Sequence, residues 1–302
     1  MIRCVLRPVP VPVAAALFLL LGLCTAHADA ATGLSTTNFV DVGDSVSEML
    51  DTSGLAFSTM LMGSAEQAPS VRAASFGGRK PAGTRATSQT FKRACPGGGT
   101  ANVDVIDADA GGELSIGDSF KINFDACVLE GSAISGRSEF VVAGHRFEGG
   151  SEVTELDFRF DALGSADMRW SGAARAALRS DLQRGTESYV VTYRDLAVTR
   201  GQHAMRWNFS VDMVRPPVGD QVARVDGTMT VDGLLLRMRQ DDPFVIGGDG
   251  HPRSGQVTAS DTHGARLEIE ALRRRFAYRL FRPANTGVSP DASSQSKPYG
   301  SR

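Results

Sequence analysis

From about residue 100 to residue 282 the apolar positions alternate with polar ones. Phe120, Ile122 and Phe124 alternate with Lys121 and Asn123, and Leu156, Phe158 and Phe160 alternate with Asp157 and Arg159. Tyr189, Val191 and Tyr193 share one parity. The clearest run is Met205, Trp207, Phe209, Val211 and Met213, interleaved with Arg206, Asn208, Ser210 and Asp212. A period of two predicts strands with one apolar and one wet face. Breaks such as "EGG", "RGQ", "VDG" and "THGA" separate them at hairpin-like intervals. The Ala-rich stretch "GAARAALRSDLQRG" permits a short helix, but Ala174, Ala176 and Leu178 also fit a strand, and strand is the reading adopted.

Residues 36–64 have a different period. Phe39, Val42, Val46, Met49 and Leu50 fall on one helical face, with Asp44 or Ser45 as the expected cap, Glu48 three residues after Ser45, and a break at Gly54. A wide sheet with one apolar face must bury that face, and its twist and open edges favour curling. The expected fold is therefore mainly β: a large antiparallel meander over 95–282, curled into a half-barrel or barrel-like sheet. One or two N-terminal helices from 36–64 would cover its apolar face. "LEGSAISGRSEFVV", "VDGTMTVDGLLLRM" and "RSGQVTASDTHGARLEIE" share a Gly–strand–turn–strand pattern, read as generic meander syntax rather than duplication.

The flanks change the picture of where this sheet works. Residues 65–94 are rich in Gly, Pro, Ser and Arg and read as a linker, and 283–302 read as a disordered tail. Residues 1–28 carry Arg3 and Arg7, an apolar run from Val13 to Leu23 and "AHADA", the pattern of a cleaved signal peptide. That run is shorter than the ~20 residues of a membrane-spanning helix. Leu23 before Cys24 argues against lipidation of that cysteine. Cys95 and Cys127 then remain as one pair, expected as a disulfide in an oxidising compartment. Lysine occurs only at 80, 92, 121 and 297, so nearly all the basic residues are Arg, as in a GC-rich bacterial genome. The expected location is the periplasm or the cell surface of a bacterium. An outer-membrane barrel fits less well, given the linker, the polar tail and an aromatic content of 7%. A net charge of -2 gives no field that would attract nucleic acid.

Candidate chemistry is sparse. The sequence contains no G-x-S-x-G, H-E-x-x-H, Walker or dinucleotide signature. "DADAGGELSIGD" (107–118) places Asp107, Asp109 and Asp118 at positions 1, 3 and 12 of a calcium loop. Gly111 at position 5 lacks a side chain, and both flanks look like strands, so a β-connection is expected there instead. "QDDPFVIGGDGHP" (240–252) is the best loop for a ligand, through Asp241, Asp242 and Asp249, with His251 and His263 in neighbouring Gly-rich turns.

The expected function is an exported, non-enzymatic β-sheet protein of the bacterial envelope that binds a lipid or other apolar small molecule, without a cofactor. The alternative is a structural or adhesive protein with a fully packed core that meets another envelope protein. The third is a hydrolase built on loops near His251 and His263.

Overall fold

The computed structural model describes residues 33–50, 86–111, 114–129, 132–181, 183–247, 252–273 and 275–283, with the backbone of 293–298. The signal-like residues 1–28 with Cys24, the helical reading over 51–64, the linker over 65–85, most of the tail, and Asp249 and His251 lie outside the described residues.

The alternating stretches form one antiparallel sheet of fourteen strands in strict chain order. The strands are β1 Thr87–Ala94, β2 Thr100–Asp107, β3 Ser119–Leu129, β4 Ser132–Glu148, β5 Ser151–Gly164, β6 Met168–Asp181 and β7 Thr186–Arg200. They continue as β8 His203–Arg215, β9 Gln221–Val231, β10 Leu234–Ile246, β11 Pro252–Ser260, β12 Arg266–Leu272, β13 Arg275–Phe281 and β14 Ser293–Pro298. The sheet is curled but not closed, since β1 and β14 do not pair. The ambiguous Ala-rich stretch is strand β6, with Ala174 and Ala176 turned into the core.

The sheet is wider than its apolar pattern suggested. Strand β1 lies inside the stretch read as linker, and β14 inside the stretch read as tail. "TSQTFKRA" offers one large apolar residue, Phe91, and "SSQSKP" offers none. Strands at a sheet border are held by main-chain bonds to one neighbour, so they need no apolar alternation. Asp241 and Asp242 belong to β10, not to a loop, because bulges let that strand run on to Ile246.

Among the described residues one helix, α1, occupies 39–50. It starts earlier than its expected cap. The chain turns at Ser35–Asn38, where Ser35 N–H donates to Asn38 Oδ1 at 2.8 Å and Asn38 Nδ2 donates to the Gly33 carbonyl at 3.0 Å. Ser45 sits inside the helix and donates to the Asp41 carbonyl at 2.9 Å. The predicted face is the buried one: Phe39, Val42, Val46, Met49 and Leu50 join Trp207, Leu236, Met238, Leu267, Ile269 and Tyr278 in one core.

Polar contacts fix α1 in place. The Tyr278 hydroxyl on β13 donates to Asp44 Oδ1 at 3.0 Å and lies 2.9 Å from Ser47 Oγ. Glu48 forms an ion pair with Arg200 at the end of β7. Leu34 N–H donates to the buried Asp261 carboxylate at 2.8 Å. Strands β7 and β13 stand six positions apart in the sheet, a span of roughly 29 Å if the sheet were flat. One helix about 10–12 Å across touches both, which requires the sheet to wrap around it.

A line of kinks produces part of that bend. Ala126, Ala162 and Asp195 adopt positive φ of 53° or less on β3, β5 and β7. Each sits in a bulge whose N–H is held by a side-chain oxygen of the next strand. Ala126 donates to Ser135 Oγ at 3.2 Å, Ala162 to Ser171 Oγ at 3.1 Å, and Asp195 to Asn208 Oδ1 at 2.7 Å. Gly136 and Gly172 follow those serines at φ 106° and 133°. A side chain at Gly136 would overlap the Ala162 carbonyl, and one at Gly172 would crowd Leu196 Cα at 3.2 Å. Bulges and glycine kinks at matching positions curve a sheet that would otherwise only twist.

Candidate functional site

On the polar face, along this kink line, lies an open groove of about 600 Å3. Strand register sets its chemistry. Glu139 on β4 is directly opposite Arg159 on β5, Arg159 is opposite Ala173 on β6, and Ala173 is opposite Arg194 on β7. Two guanidinium groups thus flank one alanine, with their backbones about 10 Å apart. One step along, Arg137 is opposite Asp161.

The carboxylates here are mostly committed elsewhere. Glu139 pairs with Lys121 at 3.3 Å, and both Asp195 oxygens lie 2.9 Å from Arg206 Nη1. Arg137 Nε donates to the neutral Asn123 side chain at 2.8 Å. Among the described residues Arg159 and Arg194 have no carboxylate within ion-pair distance. The sequence hid this site because its residues come from four strands, and only register aligns them. The Ser-Gly pairs at Ser135-Gly136 and Ser171-Gly172, which mark the kinks beside it, are the one trace it leaves in the sequence.

A contrasting patch on the same face is self-neutralised. Glu155 accepts from both Arg146 and Arg175 at 2.6 Å, and these bonds hold its carboxyl below the usual range.

The acidic loop behaves as the connection between β2 and β3. Among the described residues, Asp107, Asp109 and Asp118 bring carboxylate oxygens within 4.8 Å of one another. Asp118 is a buried turn anchor: Oδ1 accepts Ala108 N–H at 2.8 Å, and Oδ2 accepts Ser115 N–H at 2.7 Å. Asp109 is lowered first by the bond from Gly111 N–H at 2.8 Å. The flanks are strands rather than the helices of an EF-hand.

The described residues of the other predicted loop site hold local bonds. Asp241 accepts from Thr258 and from Arg239, and these bonds hold its carboxyl below the usual range. His263 lies in the connection after β11, whose turn is tied by bonds from His263 N–H and Ala265 N–H to Asp261 Oδ1, both 2.9 Å. The remaining described histidines bond carboxylates, His145 to Glu152 at 2.9 Å and His203 to Asp232 at 2.6 Å.

Cys95 and Cys127 form a disulfide with a Cα separation of 5.4 Å. It pins the β1–β2 turn onto β3, where Gly97 N–H donates to the Val128 carbonyl at 3.2 Å. A meander in chain order places all connections from even to odd strands at one end. That end carries Leu114, Ile116, Phe147 and Val218 as exposed apolar side chains, Val218 being 88% exposed. Comparison with protein-family models, with curated proteins and with solved structures found no match.

Proposed function

We propose that this chain is an exported, non-enzymatic protein of the bacterial envelope that works through its outer surface and rim rather than through a ligand held inside. The observation that carries this reading is the seating of α1. The helix meets Tyr278 at backbone distance, and Val46 and Met49 are fully buried, so protein atoms fill the space between this part of the helix and the sheet. The apolar residues on the even-to-odd rim supply a surface for an envelope partner. Export draws its support from the signal-like residues 1–28 and from the Cys95–Cys127 disulfide.

Fractionating the native host and sequencing the N-terminus of the recovered protein tests export. In-cell crosslinking from a photoreactive residue at position 147 or 218 tests the rim, and an envelope protein captured at both positions is the expected result. Recovery of intact residues 1–28 from the cytoplasm would sink the reading.

The apolar-ligand reading keeps one specific observation. The rings of Phe120, Phe140, Phe158 and Phe160 form a ladder with centroid separations of 4.5, 5.6 and 6.1 Å, and Phe120, Phe140 and Phe160 are only half-buried. Native mass spectrometry of protein from its own host separates the two readings. A retained lipid that crosslinks to position 140 would favour the ladder.

A further inference from the structure

We propose that the groove on the polar face binds a phosphate-class oxyanion between Arg159 and Arg194. This goes beyond the proposed envelope role and does not depend on export. Three features point the same way. Both guanidinium groups lack a carboxylate partner, whereas neighbouring Arg146, Arg175 and Arg206 each have one. The residue between them in the ladder is Ala173, which leaves an unfilled space above β6 that both side chains reach. The groove acids are engaged by Lys121 and Arg206 or, in the case of Asp161, stand opposite Arg137. Arg159 and Arg194 therefore line the groove with no carboxylate in ion-pair contact.

Like charges held across one strand repel, and an anion seated between them removes that repulsion. Guanidinium groups bind phosphate through paired N–H donors, and two forks converging from opposite sides suit a tetrahedral group better than a planar carboxylate. The site is open to water, so salt weakens it, and binding is strongest below physiological ionic strength.

The test titrates the purified full chain with inorganic phosphate at low ionic strength by calorimetry, with sodium chloride at equal ionic strength as reference. The expected result is saturable binding of phosphate that falls at least tenfold in Arg159→Gln and in Arg194→Gln. Arg184→Gln, an exposed change on the β6–β7 turn, leaves it unchanged. Circular dichroism of each variant establishes that the sheet is intact. Cosedimentation with phosphatidylglycerol vesicles then separates sources: loss of vesicle binding in the two groove variants assigns a lipid headgroup, and binding of soluble phosphate alone assigns a free or glycan-borne phosphate. Heat indistinguishable from the chloride reference, or equal phosphate binding by an R159Q/R194Q double variant, overturns the proposal.

Discussion

A Cβ at Gly43 would lie 2.9 Å from the ring of Tyr278, so the helix backbone packs directly on that ring. Glycine inside a helix costs about 1 kcal/mol relative to alanine, and here that cost secures close contact. Gly43→Ala is therefore expected to lower stability by about 1–3 kcal/mol despite alanine's better helix propensity. Tyr278→Phe removes the bonds to Asp44 and Ser47 and should cost about 1–2 kcal/mol. Urea unfolding of both variants checks the ordering. A stabilised G43A would mean that the helix is not seated as described.

The kink line makes a sharper contrast. Gly136 and Gly201 both have positive φ, but a side chain at Gly136 meets the Ala162 carbonyl while one at Gly201 meets nothing within 4 Å. Gly201→Ala is expected to cost about 1 kcal/mol, and Gly136→Ala at least twice that, from strain and overlap together. Comparable losses in the two would remove the close approach as the reason for glycine on β4.

The disulfide closes a separation of 32 residues. In the chain-entropy account its removal by Cys95→Ala/Cys127→Ala should cost about 3–4 kcal/mol. Hydrogen exchange should locate the largest loss of protection in β1 and the β1–β2 turn. Uniform loss across the sheet would contradict that assignment.

Alkaline pH should loosen the core through two tyrosines. Burial raises Tyr189 to about 12 and pushes Tyr193 higher still. In the unfolded chain both titrate near the ordinary value of 10.0. Their contribution is thus complete below pH 10 and is lost as pH rises through the folded values. Stability measured from pH 8 to pH 12 should fall above 10, and Tyr193→Phe should flatten the fall. Absorbance at 295 nm that tracks free phenol, with no delay, would refute the burial argument.

The acidic loop should respond to a mutation more than to a metal. Asp118→Ala removes the acceptor for Ala108 and Ser115 and should cost about 2–3 kcal/mol. Millimolar calcium is expected to leave the unfolding temperature unchanged. A rise that Asp109→Ala abolishes would make the three aspartates a cation site.

The alternation of Met205 to Met213, and the helical spacing of Phe39 to Leu50, both translate into buried faces, because core packing leaves its period in the sequence. Strands β1 and β14 left no such trace, since main-chain bonds alone recruit them. The groove was unreadable for a related reason. Arg159 and Arg194 are ordinary polar-face arginines until register sets Ala173 between them. The disulfide was legible because only Cys95 and Cys127 remain after the signal-like segment.

The order of the strands has a consequence for how the chain comes together. Every strand pairs with its neighbour in sequence, so the sheet can zip up hairpin by hairpin as the chain is made. The helix is the exception. The bonds of α1 and of Leu34 just before it to Tyr278 and Asp261 span 231 and 227 residues, so the first of the described elements acquires its seat last. In the interval its apolar face has no β13 to rest on, and the nascent chain carries an adhesive stripe that a chaperone can hold. Refolding should accordingly recover sheet signals before the helix docks, with the slowest step belonging to residues 34–50.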